Sequence, residues 1–233
     1  MFNEQAYLLA YPDVAAAVNA GFISSGLEHY TQYGQFEQNR VGFFFGSNEN
    51  DIITGFGNSK FITGVSFDSL LDSSPAGAVG EVDTLIGTEG NDIFALGHPS
   101  LLPLISTPQQ FYVGGDNTDH AIVRDFEAFS PLDAFLNLNF FKGINDSIVL
   151  EGSLQNYKIE EVDGDTNIST ASGDLIGIVE GVTYLQELNI EAANGSADIF
   201  NASGNLIYTV DLADIKNDLN IPFDVDGSFS VLI

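Results

Sequence analysis

The sequence contains no cysteine and no tryptophan, and it has only 6 Lys and Arg residues against 33 Asp and Glu residues. Without cysteine, the protein has no disulfide, no thiolate nucleophile and no thiolate metal site. The resulting formal net charge of −27 argues against sequence-independent binding to nucleic acid or to anionic membrane surfaces. The acidic side chains therefore attract cations or keep an extracellular protein soluble, or they simply form an acidic surface.

Long hydrophobic runs are also missing. A membrane-spanning helix needs roughly 18–20 apolar residues, whereas the apolar runs here are strand-sized, such as VGFFFG (41–46) and LIGIV (175–179). Residues 1–22 carry no basic residue before their apolar stretch, and Glu4 and Pro12 interrupt it. This is not the pattern of a Sec-type signal peptide. We expect no membrane span and, if the protein is exported, a signal elsewhere in the chain.

Catalytic motifs are scarce. His29, His98 and His120 lie in separate segments without H-x-x-x-H or H-E-x-x-H spacing. The sequence has no G-x-S-x-G elbow, no P-loop and no dinucleotide fingerprint. Two carboxylates could serve glycoside hydrolysis, but their abundance makes each pair uninformative, and the lack of tryptophan argues against a typical sugar-stacking cleft. The sequence therefore favours a non-enzymatic protein over a matrix hydrolase.

Residues 1–41 predict a small helical module. Asn3 can cap a first helix, Pro12 suits the first turn of a second, and Gly21 ends that second helix. The stretch SSGLEHYTQYGQFEQ offers a third, so we expect two or three short helices. Three apolar or aromatic side chains of that stretch are expected on one side: Leu27, Tyr30 and Tyr33.

From Gly42 onwards, short β-branched or aromatic runs alternate with Gly, Asn, Asp, Ser and Thr. This texture predicts an all-β sheet stack, solenoid or sandwich. Two hairpins stand out, one over 197–212 turning at residues 203–205, the other over 158–179 with a longer loop. Within that longer loop, four side chains have the spacing of EF-hand ligands: Asp163, Asp165, Asn167 and Asp174. Ile168, however, occupies the position where an EF-hand needs glycine. A polar hairpin loop is the favoured interpretation.

A nine-residue period begins at Gly46. Glycines recur at Gly46, Gly55 and Gly64. The eighth position of this frame is apolar, at Ile53, Ile62 and Leu71. The sixth position holds Asp51, Lys60 and Ser69. In VDTLIGTEGNDIFALG (82–97) the same two positions are filled by Asp83 and Leu85, then by Asp92 and Phe94. We count five candidate turns, with the register broken between residues 73 and 81.

Such a period has a physical interpretation. Glycines permit positive φ and tight turns, and the residues around the apolar position form a short strand that buries one side chain per turn. Aspartate supplies a hard anionic oxygen suited to Ca²⁺. Bringing such carboxylates together without a cation costs about 1–4 kcal/mol per close pair near a surface. Ion binding would relieve that repulsion.

GSNENDIITG and DTLIGTEGNDIFALG resemble the repeats-in-toxin nonapeptide, which forms a parallel β-roll with Ca²⁺ in its turns. The stretch after them resembles the β domain that follows such repeats in cyanobacterial hemolysin-type calcium-binding proteins, and residues 7–40 are similar to a helical module attached to those proteins. The resemblance implies a helical module (1–41), a short degenerate β-roll (42–97) and a β-rich domain (98–233). It also implies a secreted, non-enzymatic, Ca²⁺-binding protein of the bacterial cell surface or matrix.

The ligands implied by the resemblance are three aspartates with the glycines and asparagine of their turns: Asp51, Asp83, Asp92, Gly46, Gly55, Gly87, Gly90 and Asn91. In the family, turns alternate between the two sides of the roll, so carboxylates that share an ion lie two turns apart. Asp51 then faces Ser69, and Asp83 and Asp92 lie on opposite sides. We expect zero to two ions. Binding should be weak unless the insertion at residues 73–81, where the repeat loses its register, brings Asp51 near Asp83 or Asp92. Lys60 is interpreted as a cation that locally replaces Ca²⁺. Alternatively, its turn is a degenerate repeat that has lost the aspartate.

Three further features have two interpretations each. Asp116, Asp119 and His120 form an ion site or a tight turn entering a strand. Arg124 beside Asp125 is most simply an ion pair at a strand edge. Residues 223–233, FDVDGSFSVLI, resemble the uncleaved secretion signal of type I substrates, or form a closing β-strand. The alternative function is an adhesion or polysaccharide-binding module that uses the roll only as scaffold, with surface polysaccharide or matrix proteins as partners.

Overall fold

The computed structural model describes residues 1–37, 40–71, 78–98, 100–102, 108–128, 146–193, 195–211, 213 and 224–233. Strands account for 43% of the chain and helices for 19%. The fold is therefore mainly β with a few short helices, as the sequence predicts.

The helical module consists of α1 (Glu4–Ala10), α2 (Pro12–Asn19), α3 (Gly26–Gln32) and a 3₁₀ turn, η1 (Gly34–Phe36). Asn3 caps α1, because its side-chain oxygen accepts a hydrogen bond of 2.8 Å from the Ala6 amide. Pro12 is the first residue of α2. Gly21 follows that helix with a φ of +75°. The expected cap and helix ends are confirmed, and of the two or three expected α-helices the module has three.

The expected common face of the third helix is wrong. Tyr30 is fully buried, but Leu27 and Tyr33 are 43% and 53% exposed. Tyr33 has already left the helix, with a φ of −133° at the C-cap, so its side chain no longer follows the helical stripe. Tyr30 is one of several module residues that contact the following strands: its ring lies 5.3 Å from the Phe2 ring and 6.4 Å from the Phe44 ring, measured between centroids.

The strands that follow the module are β1 (Gly42–Phe45), β2 (Ile52–Thr54), β3 (Ser59–Thr63), β4 (Val82–Ile86), β5 (Asn91–Ala95), β6 (Gly97–His98), β7 (Ser100–Leu102), β8 (Gln109–Gln110), β9 (His120–Arg124), β10 (Asp146–Glu151), β11 (Tyr157–Val162), β12 (Asp165–Thr170), β13 (Leu175–Val179), β14 (Glu187–Ala193), β15 (Ser196–Asn201), β16 (Leu206–Asp211) and β17 (Asp224–Leu232). Two further short helices interrupt them, α4 (Phe67–Leu71) and the 3₁₀ turn η2 (Leu154–Asn156).

Two large sheets contain most of these strands. Sheet A has the order β1-β3-β5-β10-β17-β14-β15-β16, with β7 paired to β17, and sheet B has the order β11-β12-β13-β9-β4-β2. The neighbours β1, β3, β5 and β10 are parallel, and so are β2, β4, β9 and β13. From β1 to β5 the chain therefore alternates between the two sheets, one strand at a time, and it crosses again at β9, β10, β11 and β14.

The apolar position of the nine-residue frame is buried wherever a strand carries it. Ile53 is 3% exposed, and Ile62, Leu85 and Phe94 are fully buried. The expected third turn is wrong, because Leu71 belongs to α4 and is 39% exposed. Here the Ser66 hydroxyl accepts a hydrogen bond of 3.2 Å from the Ser69 amide and caps a helix, so these residues do not form a strand.

The hairpin over 197–212 is confirmed, with β15 and β16 joined by a turn in which Gly204 has a φ of +77°. The long loop expected within 158–179 is wrong. Asp163 and Gly164 both have positive φ, 55° and 94°, and form a two-residue connection between β11 and β12. Asp165 and Asn167 lie in β12, a strand with no room for an EF-hand loop.

Residues 224–232 form a central strand. β17 is antiparallel to β10 on one side and to β14 on the other. Val231, Leu232 and Ile233 are at most 1% exposed. The resemblance of this stretch to a type I secretion signal stays a prediction. Within the described part of the chain, no helix combines the length and apolar character needed to cross a membrane.

Candidate cation-binding turns

Two sets of turns connect the alternating strands. The segments that lead from sheet A to sheet B include residues 46–51 and the described residues 64–71 and 78–81, and we call their side of the protein the A-to-B edge. The turns that lead back include residues 55–58 and 87–90, and their side is the B-to-A edge. Because the strands are parallel and in register, turns of one set stack on one another. Asp51 and Asp83 lie at the A-to-B edge, and Asp92 lies at the B-to-A edge.

At the B-to-A edge, sheet A places Lys60, Asp92 and Asp146 next to one another in register. The Lys60 Nζ lies 3.0 Å from Asp92 Oδ1, and both side chains are fully buried. Asp92 Oδ2 accepts a hydrogen bond of 2.7 Å from the Thr88 amide of its own turn. The Asp92 carboxylate thus joins its turn to the ammonium of the preceding turn.

Main-chain oxygens complete the surroundings of the Lys60 ammonium. Nζ donates to the carbonyl oxygens of Gly57 at 2.9 Å and Glu89 at 2.7 Å. Gly55 provides the space for the lysine stem, since a Cβ on this residue would lie 2.8 Å from Lys60 Cδ. Oxygens from two consecutive turns therefore surround one positive charge.

Asp146 holds the next turn in this ladder. Its Oδ1 accepts a hydrogen bond of 2.9 Å from the Asp92 amide, and its Oδ2 accepts one of 2.8 Å from the Glu127 amide. Burial raises the pKa of Asp146 to about 7, with the Asp92 charge adding to the rise. Burial likewise raises the pKa of Asp92 to about 6, although the Thr88 amide and Lys60 act in the opposite direction.

At the A-to-B edge, Asp83 connects three segments. Its Oδ1 accepts a hydrogen bond of 2.8 Å from the Asp51 amide, and its Oδ2 accepts one of 2.7 Å from the Tyr112 hydroxyl. Asp51 Oδ2 in turn accepts from the Ser47 amide at 2.6 Å. Burial raises the pKa of the fully buried Asp83 carboxyl.

Glu81 adds a third carboxylate to this edge. Burial raises its pKa to about 7, and the charges of Asp83, Asp51 and Glu49 add to the rise. Its Oε2 is buried and accepts no hydrogen bond. In the described residues, no Lys or Arg side chain forms an ion pair with Glu81, Asp51 or Asp83. No Lys or Arg side chain among the described residues compensates this negative charge as Lys60 does at the other edge. Burial lowers the pKa of the Met1 ammonium and the Asp51 charge raises it, so the chain terminus is a positive group that Asp51 affects.

Most of the turn glycines are needed because another part of the main chain lies too close to leave room for a side chain. A Cβ on Gly46 would lie 2.0 Å from the Gly64 carbonyl oxygen, and one on Gly87 would lie 2.6 Å from the Asp125 carbonyl oxygen. Of the four predicted glycine ligands, Gly90 has a positive φ, +98°. Its neighbour Asn91 donates its amide to the Asn58 carbonyl at 2.7 Å, which ties the two B-to-A turns together.

The structure brings together some of the predicted ligands and separates others. Asp51 and Asp83 are adjacent, whereas Asp92 lies at the opposite edge, as expected from their nine-residue spacing. The expected partner of Asp51 is wrong, because α4 displaces Ser69 from the strand ladder and β4 takes that place. Ser69 contacts the same turn differently, donating from its hydroxyl to Asn48 Oδ1 at 3.2 Å.

Sequence reasoning missed Tyr112, Glu81 and Asp146. A signal for Asp146 was present, since Asn-Asp before an apolar run occurs at residues 50–51, 91–92 and 145–146. Nothing local marks Tyr112 as the hydroxyl that reaches Asp83, because the contact joins residues 29 positions apart.

The other predicted sites have structural explanations. Asp119 Oδ2 accepts a hydrogen bond of 3.2 Å from the Gly80 amide, beside a tight turn closed by the Thr118 amide and the Gly115 carbonyl. This agrees with the tight-turn interpretation. Arg124 pairs with Glu180 at 2.8 Å, so its expected pairing with Asp125 is wrong. Asp125 has a φ of +54° and a turn conformation that directs the chain away from β9.

Across the described residues, no group of three or more His, Cys, Asp or Glu side chains is arranged to hold a metal ion by itself. A cation at either edge would therefore need main-chain oxygens as well, as the ammonium of Lys60 does. No protein-family model matches the chain, and the search of curated proteins finds no significant match.

Proposed function

We propose that this is a secreted, non-enzymatic, Ca²⁺-binding protein of the bacterial cell surface or extracellular matrix. The observation that carries this proposal is the difference between the two edges. The B-to-A edge holds a built-in cation among turn oxygens. The A-to-B edge concentrates Asp51, Asp83 and Glu81 without a Lys or Arg partner among the described residues.

The proposed architecture is a parallel β-roll formed by the two parallel ladders. Support comes from the alternation of β1 to β5 between sheets, and from the burial of one apolar side chain per turn at Ile53, Ile62, Leu85 and Phe94. The ladders continue through β9, β10 and β13, so the roll extends beyond residue 97, where the repeat in the sequence becomes hard to follow.

The residues at the A-to-B edge fit a calcium ion chemically. Ca²⁺ takes six to eight oxygen ligands in flexible geometry and accepts main-chain carbonyls and water beside carboxylates. Glu81 has a buried carboxylate oxygen without a hydrogen-bond donor. Glu81 and Asp51 would hold the ion, and the Asp83 charge would favour it electrostatically. The chemistry supplied by the ion is charge neutralisation.

Calcium would then stabilise the folded state through linkage. An ion that binds the folded state alone stabilises it by RT ln(1 + [L]/Kd), about 2.7 kcal/mol at 100 times Kd. Because Ca²⁺ is scarce in the cytosol and abundant outside, this stabilisation would arise after export.

The melting midpoint of the wild-type protein should rise with Ca²⁺ and fall in chelator. The variant Glu81→Gln should lose most of the rise, since it removes the unpaired buried carboxylate. Glu161→Gln, at an exposed position of β11, is the matched control and should respond like the wild type. Thermal melts at several Ca²⁺ concentrations, with Mg²⁺ at equal ionic strength, measure the response. A midpoint that does not change with Ca²⁺ would exclude the proposed function.

The stability in chelator and the additional stability given by calcium should change with pH in opposite directions. The pKa values of Glu81, Asp92 and Asp146 are raised to about 7, 6 and 7, so the folded state binds more protons than the unfolded chain at moderately acidic pH. In chelator, stability should therefore fall as pH rises from about 5 to about 8. Calcium competes with the proton on Glu81, so the stabilisation by Ca²⁺ should grow over the same range.

Melting midpoints over this pH range, in chelator and in saturating Ca²⁺, test both signs. Proton release on Ca²⁺ binding, measured calorimetrically in buffers of different ionisation enthalpy, reports on Glu81 directly. A calcium effect that is constant across the range would contradict the role of Glu81.

A further inference from the structure

We infer that the Lys60 ammonium is a tethered counter-ion that occupies a cation position in the B-to-A edge, and that truncating this side chain opens a Ca²⁺ site there. The inference depends on the proposed function for the identity of the ion. The occupied cation position itself depends only on the contacts of Lys60.

The ammonium donates two hydrogen bonds to main-chain carbonyls and forms an ion pair with Asp92, all inside the protein. A lysine has three N–H donors, and the Lys60 Nζ has three close oxygens: the Gly57 carbonyl, the Glu89 carbonyl and Asp92 Oδ1. A buried charge is costly unless it is paired and hydrogen-bonded. Lysine is among the residues that are rarely buried fully, so its complete burial here indicates a position shaped for a cation.

The oxygens are of the kind that hard metal ions accept. Two are main-chain carbonyls and one is a carboxylate, and they come from two consecutive turns that a single ion could bridge. They lie 2.7–3.0 Å from the nitrogen, whereas Ca²⁺ prefers oxygens at about 2.3–2.6 Å. A small contraction of the turns, with water as additional ligands, would suit the ion.

Other contacts hold this arrangement independently of Lys60. The Tyr30 hydroxyl donates to the Phe56 carbonyl at 2.6 Å and reaches the Ser59 carbonyl at 3.2 Å, so the helical module fixes the turn that presents Gly57. The Thr88 amide holds the Asp92 carboxylate in the second turn. These contacts hold the Gly57 turn and the Asp92 carboxylate without help from the lysine side chain.

This arrangement divides the dependence on ions between the two edges. Lys60 neutralises the B-to-A edge at every calcium concentration, so those turns fold without metal. The A-to-B edge alone responds to calcium in the wild-type protein. The lysine thus reduces the number of ions that the fold requires.

The test compares Ca²⁺ binding by the wild-type protein with binding by Lys60→Ala and Lys60→Asp, using calorimetry and terbium luminescence. Each variant should bind about one more ion per chain than the wild type and show a larger calcium-dependent shift in melting midpoint. The double variant Lys60→Ala, Asp92→Asn should lose the additional ion. Lys158→Ala, at an exposed lysine of β11, is the matched control and should bind as the wild type does.

If Lys60→Ala does not fold in chelator, its refolding yield in Ca²⁺, in Mg²⁺ and in chelator gives the same information, and recovery in Ca²⁺ alone supports the inference. Equal ion counts in the wild type and both Lys60 variants would overturn it. An additional ion in the variants, together with a wild type that ignores calcium, would support this inference and exclude the proposed function. Failure of the Lys60 inference can therefore be distinguished from failure of the proposed function.

Discussion

Replacing Asp92 by asparagine should lower the free energy of unfolding by about 3–5 kcal/mol, the usual cost of removing one partner from a buried ion pair. Asparagine keeps the size of the side chain and an oxygen for the Thr88 amide. It leaves the fully buried Lys60 ammonium without its counter-charge. Part of the loss is offset, because the Asp146 carboxyl no longer faces the Asp92 charge.

Urea unfolding of Asp92→Asn and of Asp13→Asn separates a buried pair from an exposed one. Asp13 pairs with Arg40, but its side chain is 64% exposed, so its loss should cost under about 1 kcal/mol. Both variants change the charge by the same amount. Equal destabilisation of the two would mean that the Lys60–Asp92 pair is solvated in solution and that the buried ladder described for the B-to-A edge is wrong.

Replacing Phe94 by alanine should cost about 3–5 kcal/mol, the range found for buried aromatic side chains. Phe94 is fully buried in sheet A and packs against Phe126 at a ring-centroid distance of 6.0 Å. The reason is its position in the nine-residue frame, where one apolar side chain per turn enters the space between the sheets. Alanine would leave a cavity there.

Ile52→Ala is the matched control for the frame. Ile52 precedes the apolar position of its own turn and is 78% exposed, so its truncation should change stability by less than about 0.5 kcal/mol. The urea midpoints of both variants measure the two losses of stability, provided that the slopes of the unfolding free energy against urea are unchanged. A large loss for Ile52 and a small one for Phe94 would show that the strands pair one residue out of register.

The sequence alone predicts the parts of this fold that depend on local order. Leu85 and Phe94 are buried at the apolar position of the nine-residue frame, and the recurrence of that position is visible in the sequence. The placement of Asp83 and Asp92 at opposite edges follows from the same count, because each nine-residue turn moves the chain to the other sheet.

The partners of those aspartates could not be predicted by counting. Asp51 meets Asp83 across 32 positions, and Asp92 meets Asp146 across 54, because α4 and longer segments are inserted between turns. Loop closure costs free energy that grows only slowly with loop length. Neighbouring strands of a parallel ladder can therefore be separated in sequence by an insertion of almost any length. The nine-residue period does not show which later segment forms the next strand.

The structural role of the repeat glycines also could not be predicted from the sequence alone. Gly46 is required because the Gly64 carbonyl approaches within the radius of a side chain, and that approach is a tertiary contact. Its sequence position suggested a positive φ instead, which Gly90 has and Gly46 does not. A glycine in a repeat can thus mark either backbone freedom or close packing, and only the neighbouring turn distinguishes them.

The position of β17 has a consequence for the time course of folding. This strand inserts between β10 and β14, so until it pairs, sheet A consists of two halves, β1-β3-β5-β10 and β14-β15-β16. The first turns can assemble from neighbours close in sequence, but joining the halves requires a strand from far along the chain. Such non-local pairing is slow, and the waiting edges of β10 and β14 offer unpaired amides and carbonyls to other chains. The residues 224–232 therefore complete the sheet and end the interval in which the nascent protein is most prone to aggregate.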